Sequence, residues 1–155
     1  MSGAVHLMNR STLMRVFILE DCEIFRLSLQ LVLGQEADIE VVGSVSSNNQ
    51  DLCRQILNSK CDVLLMGLRL RGCSGLELAD QLRMLAPQIP VLAIGFSTDA
   101  ANMPEMKKAG INVFIPMSSS NEFIANQIRH SRDSLWQCDF SGVIGQSRIS
   151  TRKLN

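Results

Sequence analysis

Short runs of Val, Ile and Leu alternate along this chain with longer stretches whose apolar residues recur at helical spacing. A parallel sheet with helices on both faces produces that alternation, because its strands are buried on two sides while each helix buries one stripe. Residues 15–19, 39–45, 62–66, 90–94 and 112–115 read as five strands. The third is apolar at every position after Asp62, which places it at the centre of the sheet.

The intervening stretches predict the helices. One spans about 22–34, with Ile24, Leu27 and Leu31 on one face, Phe25, Leu29 and Val32 beside them, and Gly34 at its end. After the polar stretch 46–49, a second carries Leu52, Cys53, Ile56 and Leu57. Ser74 and Glu77 form an S-x-x-E capping box ahead of a third, whose stripe is Leu78, Leu82 and Leu85. Pro104 restricts a short fourth helix to starting near residue 103. Ser119 and Glu122 make a second capping box before a helix with Phe123, Ile124 and Ile128 along one side. Five βα units therefore predict an α/β fold, a doubly wound five-stranded parallel sheet, over residues 14–133. Residues 1–13 read as a flexible N-terminal segment and 134–155 as a C-terminal tail whose end is basic, with Arg148, Arg152 and Lys153.

At 155 residues and 46% apolar, the chain has room for one domain and enough core-forming residues to fold it. Fifteen basic residues balance fifteen acidic ones, so no general field draws the protein to nucleic acid or an anionic membrane. Cys22, Cys53, Cys61, Cys73 and Cys138 form no CxxC pair, which points to buried thiols in a reducing cytosol rather than disulfides or zinc. No run has signal-peptide or membrane-span character, and the expected location is the cytoplasm.

In an open parallel sheet, ligands bind beyond the carboxyl ends of the strands. The residues to weigh there are Glu20, Asp21, Gly67, Gly95 and Met117. Adjacent carboxylates after a strand suit a hard cation or a proton, or are simply solvated. The first turn, Glu20-Asp-Cys-Glu23, is too negative to cradle a phosphate, no GxGxxG or P-loop occurs, and neither histidine, His6 or His130, has a nucleophile partner in sequence. A flavin or nucleotide enzyme on this fold is therefore disfavoured, and no cofactor is expected.

The segments Val16-Phe-Ile-Leu-Glu-Asp-Cys-Glu-Ile-Phe-Arg26 and Asp62-Val-Leu-Leu-Met-Gly-Leu-Arg-Leu-Arg-Gly-Cys-Ser-Gly-Leu-Glu77 resemble the receiver domain of bacterial two-component response regulators. The likeness continues through Ile89-Pro-Val-Leu92 and Ala109-Gly110 to Phe114, and is nearest in flavour to receivers that precede a helix-turn-helix effector. It implies a flavodoxin-like sheet of strand order 2-1-3-4-5. It also implies a phosphoacceptor aspartate ending the third strand, a magnesium ion held by the acidic pair after the first, a switch hydroxyl ending the fourth and a lysine ending the fifth. The matching positions are Gly67, Glu20 with Asp21, Gly95 and Met117. Asp62 is five residues back, roughly 17 Å along an extended strand, and cannot stand in for the missing acceptor.

Three of the four functions are thus lost and only the acidic pair survives, holding a divalent cation weakly or not at all. The expectation is a degenerate or pseudo-receiver: not an enzyme, independent of phosphorylation, and acting through protein–protein contact with a sensor kinase, another regulator or its own copy as a homodimer. The resemblance suggests a partner face on the fourth helix, fifth strand and fifth helix, including Met103, Met106, Lys107, Phe114 and Met117. The alternative is the receiver part, or a relative, of a DNA-binding transcriptional regulator. Some twenty residues after the last helix are too few for a helix-turn-helix unit, which argues against nucleic-acid binding within this chain.

Overall fold

A computed structural model describes residues 13–131. The expected N-terminal segment, apart from Leu13, and the C-terminal tail lie outside the described residues, as do His6 and Cys138. The elements are β1 (Met14–Leu19), α1 (Glu23–Gly34), β2 (Ile39–Val45), α2 (Leu52–Asn58), β3 (Val63–Gly67), α3 (Gly75–Leu85), β4 (Val91–Gly95), a 3-10 turn (Ser97–Asn102), α4 (Met103–Lys108), β5 (Val113–Pro116) and α5 (Asn121–His130). All strand pairs are parallel, in the order β2-β1-β3-β4-β5. The sheet is the expected five-stranded doubly wound one, with β3 at its centre.

Alternation along the strands builds two cores, because successive side chains point to opposite faces. Val16, Ile18, Leu65, Leu92 and Ile115 pack with Leu29 and Leu33 of α1 and with Ile124 and Ile128 of α5. Phe17, Leu19, Leu64, Met66 and Phe114 pack on the other face with Ile56 of α2, Leu78 and Leu82 of α3 and Met106 of α4. Arg129 of α5 ties the first layer together by donating to both carboxylate oxygens of Asp38, at 2.6 and 2.8 Å, and to Glu36 at 2.9 Å, just past the end of α1. The charge and hydrogen bonds of Arg129 hold the Asp38 carboxyl below its ordinary value.

Several local expectations shift. On α1 the helical period is correct but its phase is not: Leu29 and Leu33 are buried, while Ile24, Leu27 and Leu31 are 83%, 52% and 66% exposed. The helix is apolar on two sides, so spacing alone admits either orientation. Leu85 is likewise exposed. The N-cap of α5 is Ser120, whose hydroxyl accepts from the Phe123 N–H at 3.1 Å, one residue later than the Ser119–Glu122 box. At α3 the expected cap forms, with the Ser74 hydroxyl accepting from the Glu77 N–H. Of the described cysteines, all free, only Cys61 is fully buried; Cys22 is exposed, and Cys53 and Cys73 are half-buried. Among the described residues no helix is long and apolar enough to cross a membrane.

β1 and β2 slip register between Val16 and Phe17, so that Phe17 faces Gly43. The Phe17 ring lies over Gly43 so closely that a Cβ there would stand 2.5 Å from Cδ2. Gly43→Ala must displace that buried ring, and a loss of about 1–3 kcal/mol is expected from such overpacking, readable as a lowered urea midpoint with an unchanged m-value.

Candidate functional site

A cleft of about 620 Å³ opens at the carboxyl ends of the strands, lined among others by Glu20, Asp21, Ile24, Arg69, Arg71, Gly95, Phe96 and Met117. The two acids that leave β1 part company. The Glu20 side chain turns inward and is only 5% exposed. Its Oε1 accepts from the Cys22 N–H at 3.0 Å, while its carboxylate rests against Gly67 at the end of β3. A Cβ on Gly67 would collide with Glu20 Oε2 and lie 3.0 Å from Cδ. Burial pushes the Glu20 carboxyl above its ordinary value, the neighbouring Asp21 charge adds to this, and backbone N–H groups of Cys22 and Asp21 only partly oppose it.

Asp21 turns toward the loops. Its Oδ1 accepts from the Ser47 N–H at 2.6 Å, and its Oδ2 accepts from the Ser47 hydroxyl at 2.7 Å and from the Arg71 N–H at 2.5 Å. The Ser47 hydroxyl in turn accepts from the Gly72 N–H at 2.8 Å, so the loop after β2 and the loop after β3 are knotted through one carboxylate. Burial pushes the Asp21 carboxyl up, but the bonds from Ser47 and Arg71 outweigh it and leave it below its ordinary value. Both Asp21 oxygens carry protein donors, one Glu20 oxygen does too, and Gly67 adds no third carboxylate. Among the described residues no group of three metal-ligating side chains converges. This donor set does not fit the magnesium site that the resemblance implies.

At the end of β4 a second carboxylate closes the gap left by glycine. A Cβ on Gly95 would stand 2.8 Å from Asp99 Oδ2 and 3.0 Å from the Phe114 ring. Asp99, 5% exposed, accepts from the Phe96 N–H at 2.9 Å and from Arg69 Nη2 at 2.9 Å. The Arg69 guanidinium also sits 5.0 Å from the Phe96 ring centroid, a cation–π distance. Sequence reasoning missed Arg69 and Asp99; the available signal was an acid three residues into the turn that follows Phe96, where a side chain can cap the first free N–H groups. Ser97 and Ser118 are exposed, and Met117, half-buried, brings no charge to the fifth-strand end. Asp62 lies at the opposite edge, accepting from the Arg15 N–H at 2.8 Å.

The expected partner face does not assemble. Met106 and Phe114 are fully buried core residues. Met103 packs on the α2–α4 side of the sheet and Met117 on the α1–α5 side, leaving Lys107 as the one fully exposed member of the set. Methionine and phenylalanine at these positions are spacing-compatible with either surface or core, and the core took them.

The opposite pKa directions make the two acids separable. In the native state Glu20 keeps its proton to higher pH than the ordinary 4.5, so stability falls as pH rises through that window and the penalty persists at neutrality. Glu20→Gln is expected to raise Tm at pH 7 by about 2–5 °C, a gain that closes below pH 4.5. Asp21 contributes stability above its ordinary 3.8 that is lost as pH falls through its lowered value. Asp21→Asn, which leaves donors of Ser47 and Arg71 poorly matched, is expected to cost about 1–3 kcal/mol at pH 7 in urea unfolding and to speed amide exchange at Arg71 and Gly72.

Residues 16–129 match the family described as response regulator receiver domain. Response regulator protein VraR of Staphylococcus aureus is 28% identical over 115 residues, covering 74% of this chain and 54% of the relative. The chain thus spans about half the length of the relatives of that kind. Among solved structures, the signal receiver domain of a NarL response regulator from Mycobacterium tuberculosis superposes with a TM-score of 0.69 at 22% identity, covering 75% of this chain and 93% of that one. A DNA-binding response regulator of the LuxR family from Staphylococcus aureus gives 0.70 at 17% identity, covering 78% and 100%. These structural likenesses speak for the fold, and the match over residues 16–129 places the chain in the receiver domain family of two-component response regulators.

Proposed function

We propose that this receiver domain is a pseudo-receiver: it acts in signal transduction by protein–protein contact, independently of phosphorylation and without enzymatic activity. The observation that carries this reading is the Glu20 carboxylate seated against Gly67, in the space where an acceptor side chain would stand. A phosphoryl group needs an acceptor oxygen, a counter-cation and a charged readout. Glycine supplies no acceptor, Asp21 is committed to Ser47 and Arg71, and Met117 supplies no charge. The partner would be a cytoplasmic protein, a sensor kinase, another regulator or a second copy. The cleft rim offers it Phe96, 49% exposed, with Ile24 and Met117 beside the Arg69–Asp99 pair.

One comparison favours a second reading. A structural relative is described as DNA-binding, and the chain spans only part of relatives such as VraR, so this domain would then be the receiver of a transcriptional regulator. A duplex-DNA mobility shift that weakens with salt and disappears on deleting residues 141–155 would support it.

Incubation with acetyl phosphate and magnesium, followed by intact-mass spectrometry, tests the leading reading. No added phosphoryl group is expected under conditions that modify an ordinary receiver in parallel. An adduct that is lost in Asp21→Asn would overturn the proposal.

A further inference from the structure

The cysteines show no pairing in sequence, but the fold brings two of them to one place. Cys53 sits in the first turn of α2, and Cys73 lies in the loop between β3 and α3. Both are half-buried, both line a hollow of about 330 Å³ together with Ser47, Glu77 and Gln81, and both pack against the same hydrophobic layer. The Cys53 thiol donates to Gln81 Oε1 at 3.6 Å, so α2 is bonded to the helix whose N-cap, Ser74, immediately follows Cys73. Cys22 and Cys61 do not line this hollow.

Rotation about χ1 swings each sulfur among three staggered positions. Cys73 is carried by a loop and not by a helix, so its backbone can adjust toward the Cα separation of about 4.4–6.8 Å that a disulfide requires. Burial pushes both thiols above their ordinary value, and at Cys73 the neighbouring charges of Asp21, Cys53 and Glu77 add to it. Thiols held in this way react slowly, because little thiolate is present at neutral pH. Once joined they are poor leaving groups, so the bond between them resists reduction. Such a pair stays reduced in an ordinary cytosol and records sustained oxidation.

We propose that Cys53 and Cys73 form an oxidation site, a dithiol that a hydroperoxide converts to an intramolecular disulfide. The thiolate of one cysteine attacks the peroxide oxygen, forming a sulfenic acid and releasing hydroxide, which takes up a proton as water. The second thiol then attacks that sulfur and expels water, so two thiols and one hydrogen peroxide give one disulfide and two waters. The new bond ties the loop after β3 to α2. That loop also carries the Arg71 and Gly72 N–H groups bonded to Asp21 and Ser47, so oxidation stiffens one wall of the cleft. This inference stands apart from the phosphorylation-independent reading and neither needs nor tests it.

Trypsin places all the cysteines in different peptides, with Cys53 in 27–54 and Cys73 in 72–83. The full chain is treated with hydrogen peroxide, its remaining thiols are blocked with N-ethylmaleimide, and the monomer fraction is digested for mass spectrometry. The expected product is the pair 27–54 and 72–83 joined with the loss of two hydrogens, and dithiothreitol separates it. Cys53→Ser and Cys73→Ser each abolish the cross-link, whereas Cys22→Ser leaves it intact. Amide exchange at Arg71 and Gly72 is expected to slow on oxidation of the unaltered chain and to stay unchanged in Cys53→Ser. Maleimide on both cysteines after peroxide treatment would overturn the proposal, as would a sulfinic acid at either one without the cross-link. A Cys53–Cys73 bond found only in covalent dimers overturns it too, and a cross-link that leaves exchange at Arg71 and Gly72 unaltered refutes the coupling to the cleft.

Discussion

The contact between the Glu20 carboxylate and Gly67 governs the arrangement of the cleft. Two neighbouring acids on one tight turn repel each other, and the turn resolves that repulsion by sending them to different environments. Glu20 goes inward because glycine at the end of β3 leaves room for it, and burial there favours its neutral form. Asp21 is then released to face the loops, where it gathers donors from Ser47 and Arg71 and keeps its charge. A side chain at Gly67 would force Glu20 out and bring the two carboxylates back together.

The same substitution logic repeats at β4. Gly95 leaves space that Asp99 and the edge of the Phe114 ring fill, and Asp99 recruits Arg69 from the loop after β3. Two glycines at the ends of adjacent strands are thus each matched by a carboxylate from a neighbouring loop. The receiver framework, in which alternating strand residues feed two helical layers, is untouched by this, because the two glycines are the last paired residues of β3 and β4, opposite Ile94 and Pro116, and belong to neither core.

Fold class, element order and the position of every strand were legible in the sequence because period-2 and period-3.6 patterns are set by burial, and burial dominates the energetics. What was illegible had two physical causes. Where both faces of an element are apolar, as on α1, periodicity gives the spacing and leaves the orientation open; the same ambiguity hid Met106 and Phe114 in the core. Where a site is made by loops folding back, no local pattern announces it. Asp99 reaches Arg69 across thirty positions and Asp21 reaches Arg71 across fifty, and only the folded sheet brings those loops together. The glycines at 67 and 95 were legible as losses, but not the carboxylates that occupy their space.

The knot formed by Asp21, Ser47, Arg71 and Gly72 has a kinetic meaning for any molecule that meets this rim. Loops that would otherwise sample many shapes are already pinned to one another through four hydrogen bonds. The ordering entropy that a mobile rim surrenders on association has been surrendered in folding. Encounters at this end of the domain are therefore governed by collision and orientation, not by rearrangement, so differences in affinity among ligands would reside in how long they stay.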